Sequence, residues 1–149
     1  MLAPSVQQVI GVDHEQAMLD RAHERLEDSP NISLRLGELS ALPLRDQEAD
    51  AALMMLVLHH IDDLSAALIE VHRILRPGGR CIIVDMVEHD RGDYRHRMGH
   101  RHLGFSEGQL TDLCQPAGLR LAHFSVLPAD PNAQGPDLFL ATVERASIR

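Results

Sequence analysis

The sequence predicts an α/β fold in which helices cover both faces of a mostly parallel sheet, and three observations lead to this prediction. Apolar runs of strand length alternate with segments whose apolar residues follow the helical period. The run 50–55 is almost unbroken, which is typical of a parallel strand buried on both faces. The last two strand-like runs, 119–127 and 138–143, lie too close together for a helical crossover, so we expect an antiparallel pair at one edge.

The first third of the chain predicts a strand, a helix and a second strand. The first strand covers 6–12, and the helix covers 15–26, where apolar residues recur at helical spacing. The segment 29–31, Ser-Pro-Asn, ends this helix. The second strand, 32–36, alternates apolar and polar residues, and a loop over 37–46 follows it.

The middle of the chain predicts a capped helix and another buried strand. Asp62 or Asp63 caps a helix that carries an apolar stripe over 67–75. The segment 77–79, Pro-Gly-Gly, ends the helix and precedes a buried strand over 80–86. A phosphate-binding loop has the reverse order, from strand to glycine loop to helix, so this segment is interpreted as a turn.

The segment 88–104 is polar and rich in histidine, without a periodicity that predicts a helix or a strand. His96 and His100 are four residues apart, which is metal-ligand spacing if the segment is helical. Interleaved arginines repel a cation and no cysteine is near, so no metal site is predicted. Ser106 and Gln109 have capping-box spacing and start a helix that ends near residue 116.

The length, composition and net charge of the chain exclude several classes of protein. The 149 residues fit one domain, and 44% hydrophobic and 24% charged residues are typical of a globular chain. The net charge of −8 argues against direct nucleic-acid contact, which needs a basic face. No apolar run is long enough to span a membrane, and no signal peptide is evident. Two cysteines, Cys81 and Cys114, cannot form a disulfide framework, so we expect a reduced, cytoplasmic protein.

Two positions after predicted strands are candidates for chemistry. Asp13 ends the first strand, where an acid can accept ribose hydroxyls, and the alternative is that it caps the following helix. His59 follows the 50–55 strand and can orient a substrate or act as a general base. The alternative is a histidine that caps the loop. Met54 and Met55 lie at the end of the same strand, where adaptable core packing is the plainer interpretation.

Three segments, in this order, resemble the middle and end of a class I S-adenosylmethionine-dependent methyltransferase, whose fold is Rossmann-like. They are Val9-Ile-Gly-Val-Asp13, Ala49-Asp-Ala-Ala-Leu-Met-Met-Leu-Val-Leu-His-His60 and Leu75-Arg-Pro-Gly-Gly-Arg-Cys-Ile-Ile-Val-Asp85. The similarity extends from 6 to 143 and is nearest to the small-molecule branch that contains ubiquinone and menaquinone methyltransferases. Within it, the stretch 94–106 resembles methyltransferase domains that are fused behind ArsR-type repressors.

The resemblance implies S-adenosylmethionine as cofactor and a small molecule as methyl acceptor. It implies that Asp13 binds the ribose, that Glu38 accepts a hydrogen bond from the adenine amino group, and that the Leu39 N–H meets a ring nitrogen. The family usually has Asp at the position of Glu38, and a solvated loop acid is the alternative. The expected cofactor contacts are Asp13, His14, Met18, Glu38, Leu39, Met54 and Met55, and His59 is the catalytic candidate.

The glycine-rich first strand of that family, which is the central strand of its sheet, has no counterpart in these residues. Its place is between the Asp13 strand and the Asp50 strand, so we expect unpaired sheet edges there. We therefore expect a truncated domain with impaired cofactor binding, and a homodimer formed through the exposed edges. The alternative function is a non-catalytic, effector-sensing or dimerising C-terminal part of an ArsR-type transcriptional regulator.

Overall fold

A computed structural model describes residues 3–128 and 135–147, which form two compact units, Met1–Leu44 and Arg45–Arg149. Each unit has its own sheet of strands with helices packed on it, as an α/β fold requires. Most of the loop predicted over 128–136 lies outside the described residues. Among the helices that are described, none combines the length and the apolar character that crossing a bilayer demands.

The first unit contains two parallel strands joined by a helix. Its elements are β1 (Val9–Asp13), α1 (Gln16–Arg25) and β2 (Ile32–Leu36), after a short 3₁₀ turn at Ala3–Ser5. The β1–β2 register places Val9 opposite Ile32 and Asp13 opposite Leu36. β1 starts three residues later than predicted, because the ladder begins where the Val9 N–H donates to the Asn31 carbonyl at 2.9 Å.

The first unit has little core of its own. Among its described residues, Leu19 and Leu42 are the only apolar side chains that are buried. Every residue of β1 is only half-buried, and Leu36 at the end of β2 is exposed. A two-stranded sheet is marginally stable by itself. This unit is therefore expected to be the less rigid of the two.

The second unit contains a four-stranded mixed sheet. Its elements are β3 (Ala49–Met55), a 3₁₀ turn (Leu58–His60), α2 (Leu64–Ile74), β4 (Leu75–Met86), α3 (Asp93–Met98), α4 (Glu107–Cys114), β5 (Leu119–Val126) and β6 (Leu138–Arg145). The strand order is β3-β4-β6-β5. β3 and β4 are parallel, whereas β6 is antiparallel to both β4 and β5. The predicted antiparallel pair is confirmed, with β5 at the edge of the sheet.

The core of the second unit lies between the sheet and the helices. β6 alternates buried and half-buried residues, with Phe139, Ala141 and Val143 fully buried. The ring of Phe139 stacks on that of Phe124, with 4.8 Å between centroids. Leu68 is fully buried on α2, as the predicted apolar stripe requires.

Two predicted helix caps are confirmed by hydrogen bonds. The Asp63 carboxylate accepts from the Ala66 N–H at 2.9 Å, which makes Asp63 rather than Asp62 the cap of α2. Ser106 and Gln109 form a complete capping box at the start of α4. Both helices therefore begin where the local sequence specifies.

The predicted burial of the run 50–55 on both faces and the predicted end of the following helix were wrong. Of the β3 residues only Met54 is buried, and β3 lies at the edge of its four-stranded sheet.

The helix α2 ends at Ile74, and Leu75 belongs to β4 because it pairs with Ala49 across the sheet. The Pro-Gly-Gly segment therefore lies inside β4, where the register shifts, and Gly78 has a φ of +80°. The polar segment 88–104, where no helix or strand was predicted, contains α3, and none of the residues of α3 is buried.

Gly104 fixes the segment that follows α3 against the end of β4. Its φ is +77°, and a Cβ atom there would overlap the Val87 carbonyl. The next residue, Phe105, donates its N–H to the Met86 carbonyl at 2.9 Å. The chain between α3 and α4 is therefore held beside the carboxyl end of β4.

Leu68→Ala is expected to lower the free energy of unfolding by about 2–5 kcal/mol, because it leaves a cavity at a fully buried position. Ile69→Ala is the matched control, since this side chain is 53% exposed. It is expected to cost about 0.5 kcal/mol or less. Urea unfolding followed by circular dichroism measures both variants. Equal losses would contradict the assignment of the buried face of α2.

Candidate functional site

Two acidic residues of the first unit lie at the same edge of its sheet. Asp13 is the last residue of β1, and Glu38 follows the end of β2 by two residues. The strands are parallel with Asp13 opposite Leu36, and the Gly37 N–H donates to the Asp13 carbonyl at 3.0 Å. Ligands of open α/β sheets bind at this carboxyl edge. The structure therefore places the two acidic residues that the sequence analysis singled out at the same edge of this sheet.

The loop that carries Glu38 and Leu39 is fixed by contacts within the first unit. A Cβ atom on Gly37 would lie 2.5 Å from Cδ of Pro43, so only glycine permits this close return of the loop. Arg35 donates to the Pro43 carbonyl at 2.8 Å. The Ala41 N–H donates to the Glu38 carbonyl at 3.0 Å. These contacts hold the Glu38–Leu39 segment at the carboxyl edge of the sheet.

The hydrogen-bonding groups at this edge fit an adenosine. Oδ1 of Asp13 accepts from the Glu15 N–H at 2.9 Å, whereas Oδ2 has no partner within the described part of the chain. The hydrogen bond to the backbone thus occupies only one of the two carboxylate oxygens of Asp13. The Glu38 side chain is exposed, and neither it nor the Leu39 N–H has a described partner. Two acceptors and one donor are what ribose hydroxyls, an amino group and a ring nitrogen require.

His14 and Met18 lie near Asp13 in the first unit. His14 is exposed, and its Nδ1 lies 3.6 Å from Oδ1 of Asp13. Met18 is exposed on α1. Neither side chain belongs to the core, so both are accessible to a ligand at this unit's surface.

The second unit has a buried His–Asp pair at the carboxyl edge of its own sheet. Nδ1 of His59 lies 2.7 Å from Oδ1 of Asp85, and the side chains are 5% and 1% exposed. The His59 N–H donates to Oδ2 of Asp85 at 3.4 Å, and the Met86 N–H donates to Oδ1 at 2.8 Å. Because an ionised carboxylate only accepts, Nδ1 of His59 carries the proton of this hydrogen bond, and Nε2 is the ring nitrogen left for another partner.

The turn that carries His59 is held by unusual backbone geometry. Leu56 has a φ of 54°, a left-handed conformation that is strained for a branched side chain. Its N–H donates to the Val84 carbonyl at 2.8 Å, so pairing with β4 compensates for this strain. Strained residues of this kind cluster at functional sites. The observation supports a functional role for the turn.

Two further histidines lie beside His59. The ring centroids of His60 and His100 are 4.1 Å and 4.4 Å from that of His59. The backbone N–H groups of Arg101 and His102 donate to the His59 carbonyl at 2.8 Å and 3.1 Å. The segment after α3 is thereby bonded to the turn, which brings His100 into contact with it. We call His59, His60 and His100 the histidine cluster.

Burial and mutual proximity control the charge of this cluster. Burial lowers the pKa of His100, and the neighbouring His59 and His60 lower it further. Burial and His59 also lower the pKa of His60, while a hydrogen bond with the Gly99 backbone and the charge of Asp85 oppose this change. Both rings are therefore neutral at pH 7. Nδ1 of His100 is buried and has no hydrogen-bond partner in the described residues.

The remaining predicted residues have plainer roles. Met54 is buried and Met55 is exposed at the end of β3, so only Met55 is accessible without rearrangement of the core. Both cysteines are buried, and burial raises the pKa of Cys81 to about 12 and that of Cys114 to about 11. Neither forms a reactive thiolate at neutral pH.

The sequence analysis did not single out Asp85, and for His100 it noted only the spacing from His96, not a contact with His59. His96 is exposed on α3, whereas His100 lies beyond the end of that helix and contacts His59 and His60. The sequence does indicate that Asp85 has a specific role, because an acid near the end of a buried strand needs a hydrogen-bond partner. The sequence does not specify which histidine that partner is.

Comparisons with known proteins show the family to which the chain belongs. Residues 1–83 match the family described as a methyltransferase domain. An uncharacterised 37.1 kDa protein in a transposon of Streptomyces fradiae is 43% identical over 75 residues, which are 50% of this chain and 22% of that protein. The ubiquinone/menaquinone biosynthesis C-methyltransferase UbiE of Desulfotalea psychrophila is 36% identical over 78 residues, which are 52% of this chain and 31% of that protein. The chain spans less than half the length of these relatives.

A solved structure supports the fold. A SAM-dependent methyltransferase of Methanosarcina mazei superposes with a TM-score of 0.81 at 18% identity, over 99% of this chain and 86% of that protein. The predicted Rossmann-like α/β fold and the resemblance to S-adenosylmethionine-dependent methyltransferases are confirmed. A fusion to an ArsR-type regulator stays a prediction.

A double-mutant cycle measures the His59–Asp85 interaction. His59→Ala and Asp85→Ala are each expected to lower the free energy of unfolding by about 3–5 kcal/mol, because each removes one member of a buried pair and leaves the other unpaired. The double variant is expected to lose less than the sum, with a coupling energy of about 1–3 kcal/mol.

The exposed pair Arg101–Asp62, whose atoms lie 2.9 Å apart, is the control for this cycle. Its coupling energy is expected to stay at about 0.2–1 kcal/mol. A coupling for His59–Asp85 no larger than that of the exposed pair would show that the buried contact does not stabilise the turn.

Proposed function

This chain belongs to the methyltransferase domain family, and on that premise we propose that it carries out S-adenosylmethionine-dependent methyl transfer to a small-molecule acceptor. The observation that carries the proposal is the placement of Asp13 and Glu38 at one carboxyl edge, each with a carboxylate oxygen that no described residue occupies. The matched family supplies the class of reaction. The acceptor is proposed only as a class, because no described contact selects one molecule.

The nucleoside contacts are proposed as follows. Oδ2 of Asp13 accepts from the ribose hydroxyls, while Oδ1 stays on the Glu15 N–H and fixes the rotamer. Glu38 accepts from the adenine amino group, and the Leu39 N–H donates to a ring nitrogen. His14 and Met18 cover the exposed side of the nucleoside. In this arrangement the ribose hydroxyls, the adenine amino group and one ring nitrogen each meet a complementary donor or acceptor.

The acceptor is proposed to bind near the carboxyl edge of the second unit's sheet, where His59 and Met55 lie. S-adenosylmethionine, when bound, supplies an electrophilic methyl group on its sulfonium sulfur. Catalysis of such a transfer is mostly positioning and exclusion of water. Nε2 of His59 orients the acceptor nucleophile and can receive its proton, because Asp85 holds the opposite nitrogen protonated. Met54 stays in the core beneath this edge.

We propose that the 149 residues alone bind the cofactor weakly. The residues that contact the nucleoside are carried by a two-stranded unit in which only Leu19 and Leu42 are buried among the described apolar side chains. A loosely packed site must be ordered when the ligand binds, and that ordering reduces affinity. Pairing of two copies through the free edges of β1 or β3 would add order, and it stays a prediction.

Titration with S-adenosylhomocysteine tests the nucleoside contacts. We expect a dissociation constant weaker than about 0.1 mM for the unmodified chain, measured by ligand-observed NMR. Asp13→Asn is expected to weaken binding about 10-fold or more, because a charged acceptor of hydrogen bonds is lost. Glu38→Gln should weaken it less, because Glu38 is exposed and is proposed to accept only from the adenine amino group, whereas Asp13 is proposed to accept from the ribose hydroxyls.

Asp20→Asn on α1 is the control, because it removes an exposed carboxylate that bonds only to the Gln16 side chain among the described residues. It should bind like the unmodified chain. If Asp13→Asn also binds like the unmodified chain, the proposed ribose contact is wrong. If no variant binds at all, a non-catalytic part of a regulator becomes the better hypothesis.

A further inference from the structure

We propose that the histidine cluster binds one divalent transition-metal ion, with Zn²⁺ as the expected occupant. One ring nitrogen from each of His59, His60 and His100 lies within 4.8 Å of the other two. Imidazole is a preferred ligand of Zn²⁺ and of its first-row neighbours. The site goes beyond the proposed methyl transfer and involves residues of the second unit only. An ion bound to Nε2 of His59 occupies the lone pair that would receive a proton from the methyl acceptor, so the metal-bound and proton-accepting forms of His59 are alternatives.

The distances between the ligand atoms allow coordination after small rotations. Bonds of about 2.0–2.1 Å around a tetrahedral ion place the ligand nitrogens roughly 3.4 Å apart. The rings of His59 and His100 are tilted by 51° and those of His60 and His100 by 87°, so they are not stacked face to face. The proposal requires side-chain rotations that shorten the distances between these nitrogens, while the backbone bonds between the turn and the segment after α3 stay as they are.

Asp85 provides the outer-shell contact that metal-bound histidines usually have. A ligating histidine commonly donates its second ring N–H to a carboxylate, which orients the ring and raises its basicity. Nδ1 of His59 makes this bond to Asp85 at 2.7 Å, which leaves Nε2 for the ion. The same carboxylate brings a negative charge beside a site that would otherwise consist of neutral ligands.

His100 provides independent support for a ligand. Its side chain is only 8% exposed, yet Nδ1 has no partner among the described residues. Leaving such a group unsatisfied is costly, and a metal ion would satisfy it.

The arginines near the cluster do not exclude a cation. Arg101 pairs with Asp62 at 2.9 Å, and Arg97 pairs with Asp93 at 3.8 Å. The guanidinium of Arg91 lies over the ring of Tyr94, 5.9 Å from its centroid. Nearby acids thus offset the charges of Arg97 and Arg101, two of the arginines that argue against a metal when only the sequence is considered.

Three protein ligands leave one position of a tetrahedral ion open. His60 is exposed, so this position can be reached from solvent. The open position would take a small molecule that offers an anionic oxygen, nitrogen or sulfur atom. This defines the class of ligand as one able to coordinate the ion directly.

Calorimetric titration of the chelator-treated chain with Zn²⁺ tests the site. We expect one ion per chain, and Co²⁺ should give the intense visible bands of a tetrahedral centre. His60→Gln and His100→Gln are each expected to weaken binding about 10-fold or more, and Asp85→Asn about 10- to 100-fold. His60→Gln is the decisive variant, because His60 is exposed and its replacement leaves the core unchanged.

His96→Gln is the matched control, since His96 is an exposed histidine on the neighbouring helix α3. It should bind Zn²⁺ like the unmodified chain. The absence of stoichiometric binding, or equal affinities for His60→Gln and His96→Gln, would overturn the proposal. The titration contains no S-adenosylhomocysteine, so its failure is independent of the nucleoside contacts in the first unit.

Discussion

Parallel pairing of strands is the constraint on which both candidate sites depend. Residues that follow two parallel strands must lie at the same edge of the sheet, however far apart they are in the sequence. In the first unit this rule brings Glu38 to Asp13, and in the second unit it brings Asp85 to His59. The chemistry of the chain is therefore concentrated where strands end, as in other open α/β sheets.

The two edges differ in how firmly their polar groups are held. Asp85 accepts three hydrogen bonds within a packed unit, and these bonds offset the cost of burying its charge. Asp13 is half-exposed and uses one oxygen for the backbone. The His59–Asp85 pair in the second unit is held in place by these bonds before any ligand binds. Asp13 in the first unit has a free acceptor and little core beneath it. Rigidity and free hydrogen-bonding capacity are thus found in different units.

Local sequence patterns predicted the elements that are specified locally. The capping box at Ser106, the apolar stripe of α2 and the strand β2 depend on neighbouring residues, and the structure has all three. The end of α2 was misplaced because Leu75 pairs with Ala49, which is distant in sequence. The histidine cluster was missed for the same reason, since the sequence offers the spacing of His96 and His100 but not the contact between His100 and His59.

The central claim is that Asp13 and the Glu38–Leu39 segment bind a nucleoside at one sheet edge. Amide NMR spectra of the chain, recorded during titration with S-adenosylhomocysteine, test it most directly. The account predicts that the largest shift changes occur at Leu39 and in the turn that follows Asp13. Shift changes that leave both segments unaffected and appear elsewhere in the chain would contradict it.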